Sequence, residues 1–173
     1  MKKLLAGMCV MASLQGLSAW AVQPGEPAPD FKAASTAGRE LRLADFAGKW
    51  LVLYFYPKSF TPGCTAESCS LRDGYQDILS AGAAILGVSL DNLETQQKFK
   101  TEHKLPFDLL SDEKAEVAKA YDALGFGGFM AKRLTFIINP EGKVARILDD
   151  VKTGDHDAQV LGILRELQNP SDT

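Results

Sequence analysis

The 173-residue sequence predicts one α/β domain in which a mixed β-sheet lies between helices. The continuously apolar run at residues 51–56 is typical of a strand buried on both faces, and residues 84–90 and 134–138 are two further apolar strands. Segments with helix signals separate these runs along the chain. The third run is followed by the turn Asn139–Lys143 and a further strand at 144–148, so these last two strands are expected to pair as a hairpin.

Turn residues and helix caps predict the remaining elements. Residues 31–43 are expected to form a hairpin that turns at Ala37-Gly38, because glycine favours a tight turn. After the first buried strand, the loop Thr61-Pro62-Gly63 leads into a helix that is expected to run from Cys64 to about residue 80. Aspartate or asparagine at N-cap positions predicts three further helices. Their expected spans are 91–103, 112–121 and 155–168, with residues 106–110 extended between the first two.

The amino terminus has the three-part form of an export signal. Lys2 and Lys3 precede an apolar run over residues 4–17, and Ala19-Trp20-Ala21 supplies the small-x-small pattern of a signal-peptidase site. We therefore expect residues 1–21 to be a signal peptide and residues 22–173 to form the folded domain. This predicts an exported, periplasmic protein.

Two alternatives would keep this segment attached to a membrane. A transmembrane anchor is disfavoured because Ser13, Gln15 and Gly16 interrupt a stretch that is already short for a bilayer. Lipid attachment at Cys9 is disfavoured because Met8, not a small residue, precedes it. Loss of the two leader lysines changes the formal charge from −3 to −5. An acidic domain of this kind is not expected to bind nucleic acid or anionic lipid, so stable membrane association is not predicted after cleavage.

Cys64 and Cys69 lie where the first apolar strand turns into a helix. The unpaired N–H groups and the dipole at a helix start stabilise a thiolate, so Cys64 is the candidate nucleophile. In a continuous helix, Cα atoms five residues apart are roughly 8–9 Å from each other. A disulfide needs about 7 Å or less, so a bridge requires the first turn to unwind. This favours a redox pair over a structural disulfide, while His103 and His156 lie at no metal-ligand spacing from the cysteines.

The sequence resembles the peroxiredoxins over nearly the whole of residues 22–173. Pro57, Thr61 and Cys64 fit the Pro-x-x-x-Thr-x-x-Cys pattern of that family. Cys69 resembles the resolving cysteine of the bacterioferritin-comigratory-protein (PrxQ-like) branch, and Arg133 resembles the active-site arginine of the family. The resemblance implies a thioredoxin-like fold with an N-terminal β-hairpin.

The resemblance also implies a thiol peroxidase that reduces hydrogen peroxide and organic hydroperoxides without a cofactor. The Cys64 thiolate would attack one peroxide oxygen and become a sulfenic acid. Cys69 would then form an intramolecular disulfide with it, and an external thioredoxin-like dithiol protein would reduce that disulfide. A monomer is expected, because this branch is often monomeric.

Neighbouring residues would support this chemistry. Thr61 is expected to accept a hydrogen bond from the peroxide while donating one to the sulfur. Arg133 would favour the thiolate and stabilise the charge on the departing oxygen. Pro57 would shield the sulfenic acid, and the backbone N–H groups of Gly63 and Cys64 would complete an anion pocket.

Two questions stay open at this level, one on Glu67 and one on the loop 124–131. Glu67 either orients Arg133 or is an ordinary first-turn acid favoured by the helix dipole. His156 is expected in a capping region, without a catalytic role. The apolar side chains of the glycine-rich loop 124–131 either form a rim over the pocket or pack locally; they are Phe126, Phe129 and Met130.

Two other functions compete with the peroxidase. A general thiol–disulfide oxidoreductase would ordinarily carry a Cys-x-x-Cys motif, and this sequence has no such spacing. A peroxide-sensing binding module would use the same cysteines to unwind a helix and expose a partner surface. Slow reaction with peroxide together with a tightly bound partner would favour the module.

Overall fold

The computed structural model describes residues 22–169, which form a seven-stranded sheet and five helices. The strands are β1 Lys32–Ser35, β2 Glu40–Arg42, β3 Trp50–Phe55, β4 Ala83–Ser89, β5 Asp108–Ser111, β6 Leu134–Ile138 and β7 Val144–Leu148. The helices are α1 Pro62–Asp73, α2 Tyr75–Ser80, α3 Leu93–Glu102, α4 Glu116–Ala120 and α5 His156–Gln168. Short 3₁₀ turns cover Leu43–Phe46 and Phe126–Gly128.

The strands lie in the order β2-β1-β5-β4-β3-β6-β7. The central strands β3, β4 and β5 run parallel, while β6 pairs antiparallel with β3 and β7 antiparallel with β6. The predicted N-terminal hairpin is confirmed as β1 and β2, which joins the sheet through β5. The mixed thioredoxin-like sheet expected from the sequence is therefore confirmed, and β3 lies near its centre.

Strand β3 is buried on both faces, as its continuous apolar sequence predicts. Leu53 and Phe55 pack in one hydrophobic cluster, while Val52 and Tyr54 pack in the cluster on the opposite face. The second cluster also contains Cys64 and apolar residues of α2, α3 and α5. The helix that carries the cysteines is therefore held against the sheet by one of the two halves of the core.

The helix expected at residues 64–80 has different bounds. It begins two residues earlier, at Pro62, because the fixed φ of proline suits the first helical position. It also ends at Gly74, where α1 gives way to the separate helix α2. A Cβ on Gly74 would lie 2.5 Å from the Cβ of Asp157, so the glycine lets the start of α5 approach this break closely.

The capped helices agree in position with the prediction, with one correction. Asn92 caps α3, its side-chain oxygen accepting from Thr95 N at 2.9 Å. Helix α4 begins at Glu116, later than expected, because Ala115 before it has a left-handed φ of 56°. Asp112 still serves this helix start, accepting from the N–H groups of residues 117 and 118 at 3.1 and 2.8 Å.

The predicted signal peptide and Cys9 lie outside the described residues. Within residues 22–169, none of the helices has the length and apolar character needed to cross a membrane.

We expect Leu53→Ala to lower the free energy of unfolding by about 3 kcal/mol, because it leaves a cavity in the centre of the sheet. Leu53 is 0% exposed, whereas Leu79 in α2 is 48% exposed. The matched variant Leu79→Ala should therefore change the free energy by about 0.5 kcal/mol or less. Urea unfolding of the reduced protein measures both, and equal losses would contradict the assignment of the core.

Candidate active site

Cys64 occupies the first turn of α1, at the end of the loop that follows β3. Thr61 is the N-cap residue with extended backbone, and Pro62 opens the helix. Cys64 is 1% exposed and is the third residue of the helix, within the turn whose N–H groups lack intrahelical partners. Cys64 and Cys69 are both free thiols, and both lie on the same helix as predicted. The continuous helix keeps the two thiols apart.

Arg133 contacts the Cys64 sulfur directly. It precedes β6, whose Leu134 pairs with Phe55 at the end of β3, so the sheet brings it beside the loop that carries the cysteine. Arg133 Nη2 donates to Cys64 Sγ at 3.4 Å, and Nη1 donates to Glu67 Oε2. Burial alone lowers the pKa of Arg133, but the charges of Glu67 and Cys64 outweigh it and raise that pKa above its ordinary value. The guanidinium therefore stays charged next to the sulfur.

Glu67 is a buried partner of Arg133, which decides between its two sequence interpretations. Its side chain is fully buried, whereas an acid placed only for the helix dipole would be solvated. The second carboxylate oxygen, Oε1, lies 3.2 Å from His156 Nδ1. One buried carboxylate thus lies between the arginine that precedes β6 and the first residue of α5.

His156 was the residue that sequence reasoning undervalued. It does lie at a helix start as expected, but its side chain is fully buried, and Nε2 lies 3.0 Å from Thr135 Oγ1. No local pattern signals this contact, because His156 meets Glu67 only when α5 packs against α1. A histidine at the start of an apolar helix was the one available hint.

The structure corrects one expected contact of Thr61. Its hydroxyl donates to the carbonyl oxygen of Lys58 at 2.8 Å, and not to the Cys64 sulfur. The extended backbone of an N-cap residue directs this hydroxyl back into the preceding loop. With its proton donated to a carbonyl, the oxygen keeps lone pairs that can accept a hydrogen bond from a peroxide O–H.

Polar contacts with the segment at the end of β4 hold the loop over residues 57–61 in place. The N–H of Ser59 donates to Asp91 Oδ2 at 2.8 Å, and Ser89 Oγ donates to the same oxygen at 2.7 Å. Pro57 is half-buried at the start of this loop, and Phe60 has a left-handed φ of 64°. These contacts tie the loop before Cys64 to the end of β4.

Gly63 allows the arginine to approach the helix start. A Cβ on Gly63 would lie 3.3 Å from Arg133 Nη2, which is tighter than ordinary contact. The absence of a side chain therefore leaves room for the guanidinium beside the Cys64 sulfur. The expected contribution of the Gly63 N–H to an anion pocket stays a prediction.

The second half of α1 is anchored more firmly than its first turn. The hydroxyls of Tyr54 and Ser68 lie 3.0 Å apart in the core. Burial raises the pKa of Tyr54 well above its ordinary value, so the phenol remains protonated and able to donate. Ser70 Oγ donates to Asp157 Oδ1 at 2.7 Å, while the N–H of Asp157 donates to Ser70 Oγ at 3.1 Å. The first turn, by contrast, has no side-chain hydrogen bond from its N-cap residue.

The glycine-rich loop 124–131 exposes its large apolar side chains to solvent. Leu124 and Ala131 pair across its base, and Phe126 and Phe129 are 108% and 83% exposed. Met130 is 48% exposed. The alternative of local packing is therefore wrong for the two phenylalanines.

Comparisons with known proteins agree with this fold and site. The sequence model of the AhpC/TSA family matches residues 24–147. Peroxiredoxin Bcp from Bacillus subtilis is 40% identical over 152 residues, which cover 84% of this chain and 97% of the relative. The chain belongs to the AhpC/TSA family. The solved structure of peroxidoxin BcpB from Mycobacterium tuberculosis matches this peroxiredoxin with a TM-score of 0.77 at 30% identity, covering 84% of this chain and 98% of that one.

These relatives place the peroxiredoxin in the Bcp and PrxQ branch of its family. The solved bacterioferritin comigratory protein of Xanthomonas campestris, which has alkyl peroxide reduction activity, has a TM-score of 0.74 and 33% identity. It is matched over 91% of its length by 79% of this chain. The peroxiredoxin is a thiol peroxidase that reduces hydroperoxides.

We expect Asp91→Ala to lower the free energy of unfolding by about 2 kcal/mol, because the variant loses the hydrogen bonds from Ser59 and Ser89. Asp149→Ala, at an exposed position after β7, is the matched control and should stay within about 0.5 kcal/mol of the parent. Urea unfolding of the reduced proteins measures the difference. An Asp91 variant as stable as the control would show that this carboxylate does not hold the loop.

Proposed function

We propose that Cys64 is the residue that peroxide oxidises and that Cys69 resolves it as an intramolecular disulfide. The observation that carries this assignment is the buried Cys64 sulfur at the start of α1, 3.4 Å from Arg133 Nη2. The helix N–H groups and a permanently charged guanidinium both favour the thiolate over the thiol. Cys69 lies on the same helix but five residues further from its start, beyond the unpaired N–H groups.

The first step is a displacement at oxygen. The Cys64 thiolate attacks one peroxide oxygen, the O–O bond breaks, and the attacked oxygen becomes the hydroxyl of a sulfenic acid. The other oxygen leaves with the bonding electron pair, takes up a proton and departs as water or an alcohol. Arg133 stabilises the negative charge on that oxygen as the bond breaks.

The residues around the sulfur position the peroxide for this step. The Thr61 oxygen accepts a hydrogen bond from the peroxide, since its own proton is donated to Lys58. The backbone N–H groups of Gly63 and Cys64 complete the anion pocket. Pro57, half-buried and without an N–H, shields the sulfenic acid from a second peroxide.

The second step requires part of α1 to unwind. The Cys69 thiolate attacks the sulfenic sulfur, the disulfide forms, and the hydroxyl leaves as water after taking up a proton. Helical geometry keeps the two Cα atoms roughly 8–9 Å apart, so this bond cannot form on the intact helix. The first turn opens, because the bonds of Ser68 and Ser70 hold the second half against the core.

The proposal also covers the peroxide substrates, the reducing partner and the monomeric state of the protein. Hydrogen peroxide and organic hydroperoxides are the substrates, in line with the alkyl peroxide reduction named for the Xanthomonas campestris relative. A thioredoxin-like dithiol protein returns the disulfide to two thiols by exchange. The protein acts as a monomer, without stable membrane association once its leader is removed.

Export to the periplasm is also part of the proposal. Its support is the charged, apolar and small-residue pattern of residues 1–21, together with a family match that begins at residue 24. Cytosolic thioredoxin would not reach an exported enzyme. The electron donor would then be a dithiol relay linked to the membrane.

We expect Cys64→Ser to abolish peroxide reduction, while Cys69→Ser retains one turnover but is not recycled by a dithiol reductant. Stopped-flow fluorescence of Trp50, which opens β3, follows the reaction of the reduced chain beginning at Val22 with one equivalent of hydrogen peroxide. The parent should show two phases, the Cys69 variant only the first, and the Cys64 variant neither. Thiol counts before and after the reaction identify the disulfide.

The same traces separate the competing functions. Equal loss of the first phase in both cysteine variants would contradict the assigned roles. A parent that reacts no faster than a free thiol would favour the peroxide-sensing module over efficient catalysis. Rapid exchange with a protein disulfide, without rapid reaction with peroxide, would favour the general oxidoreductase.

We expect the full chain, expressed in a Gram-negative host, to be recovered from the periplasm with Val22 as its first residue. Intact-mass measurement of the osmotic-shock fraction checks this cleavage. Ala21→Leu is the matched control, because a bulky residue at the end of the leader blocks signal peptidase while keeping the segment apolar. A parent recovered uncleaved from the cytoplasmic fraction would overturn the export proposal.

A further inference from the structure

A chain of polar contacts extends from the Cys64 sulfur to the start of α5. Arg133 joins Cys64 to Glu67, and Glu67 Oε1 then lies 3.2 Å from His156 Nδ1. The histidine Nε2 lies 3.0 Å from Thr135 Oγ1 on β6. The proposed peroxidase mechanism uses this chain of contacts only as far as Arg133, so the buried histidine has no role in it.

The two facing atoms, Glu67 Oε1 and His156 Nδ1, have no other partner that satisfies them. Both atoms are buried, and neither has a hydrogen bond of good geometry to any of the residues 22–169. Leaving a buried polar atom unpaired destabilises the folded state. A proton on Nδ1 that points at Oε1 satisfies both atoms after a small rotation of the ring, and it is the only arrangement of these two groups that does so with the carboxylate ionised.

The contact at Nε2, on the other side of the His156 ring, suits both the neutral and the protonated imidazole. The Thr135 hydroxyl can donate to Nε2 of a neutral imidazole or accept from Nε2–H of an imidazolium. Nε2 is therefore satisfied whether the ring is neutral or protonated on both nitrogens. The geometry at Nδ1 is the part that selects one form.

Glu67 needs such a partner because its negative charge has two opposing effects on the Cys64 thiolate. It holds the guanidinium of Arg133 against Cys64, but its own negative charge opposes a thiolate nearby. An N–H from His156 directed at Oε1 offsets that charge at the oxygen that Arg133 does not use. It also fixes the carboxylate plane, so that Oε2 remains directed at the guanidinium.

We propose that His156 is a positioning residue for peroxide reduction, whose Nδ1 proton orients Glu67 and offsets its charge so that Arg133 can stabilise the Cys64 thiolate. The inference rests on the proposed function of Cys64 and adds a residue from the last helix to it. His156 does not touch the peroxide. It acts through Glu67 and Arg133.

The charged and titratable groups around His156 are few. Helix α1 contributes Glu67 and Cys64, and Arg133 precedes strand β6. The Tyr54 ring of β3 lies edge-on at a centroid distance of 6.2 Å. On α5 itself, Asp157 is engaged with Ser70. Within residues 22–169, Glu67 is the carboxylate at ion-pair distance from this imidazole.

The test replaces His156 and measures the pH dependence of Cys64 reactivity. His156→Gln can still donate to Glu67 but cannot carry charge, and His156→Phe can do neither. Single-turnover oxidation by hydrogen peroxide and alkylation by iodoacetamide are measured from pH 5 to pH 9 in a Cys69→Ser background. His103→Gln, at the half-buried end of α3, is the matched control.

We expect His156→Gln to slow peroxide oxidation at pH 7 by about tenfold and to shift the alkylation profile upward by about one pH unit, because the thiolate loses support. His156→Phe should slow oxidation further, by about a hundredfold, and His103→Gln should match its parent. Wild-type rates and an unshifted profile in a folded His156→Gln protein would overturn the inference. Cys64-dependent oxidation in the parent would then still leave the proposed function intact.

A measurement on the unmodified protein keeps the inference testable if the variants do not fold. The nitrogen chemical shifts of His156 in the reduced, ¹⁵N-labelled chain report which ring nitrogen carries a proton. We expect Nδ1 to be protonated. An unprotonated Nδ1 with the proton on Nε2 alone would overturn the inference. Peroxide reduction that persists in Cys64→Ser would overturn the proposed function instead.

Discussion

The buried ion pair between Glu67 and Arg133 is the interaction on which the site depends. A carboxylate with no exposed surface is stable only when its charge is compensated nearby, and this compensation comes from the arginine that precedes β6. Meeting that requirement places the guanidinium beside the Cys64 sulfur as well. Because the buried Glu67 carboxylate is paired with Arg133, helix α1, the start of strand β6 and the Cys64 thiol lie close together.

The same helix has to be stable and able to open. The apolar core and the hydrogen bonds of Ser68 and Ser70 hold its second half, while the first turn depends on the burial of Cys64 and on the arginine. Oxidation of a thiolate to a neutral sulfenic acid removes one charge from the contact with Arg133. In the proposed mechanism, the contact that holds the reduced first turn is therefore weakened by the reaction that requires this turn to unwind.

Much of the fold was predictable because local and long-range preferences agree. The apolar runs that become β3 and β6 are buried strands as predicted, and Asn92 caps α3 where an N-cap residue was expected. The prediction was wrong where a distant contact decides the local structure. The break at Gly74 is an example, since nothing in the helical pattern shows that α5 approaches there within the space of one methyl group.

The sequence by itself determined the chemistry: two cysteines five residues apart at a helix start, a threonine and a proline at family spacing, and an arginine ahead of the last hairpin. These follow from short-range pattern, which a sequence carries explicitly. Only the tertiary structure decided the pairing of Glu67 with Arg133, the contact made by Thr61 and the burial of His156. Each depends on elements far apart in the chain, where the distance between charged groups is set by packing and not by spacing.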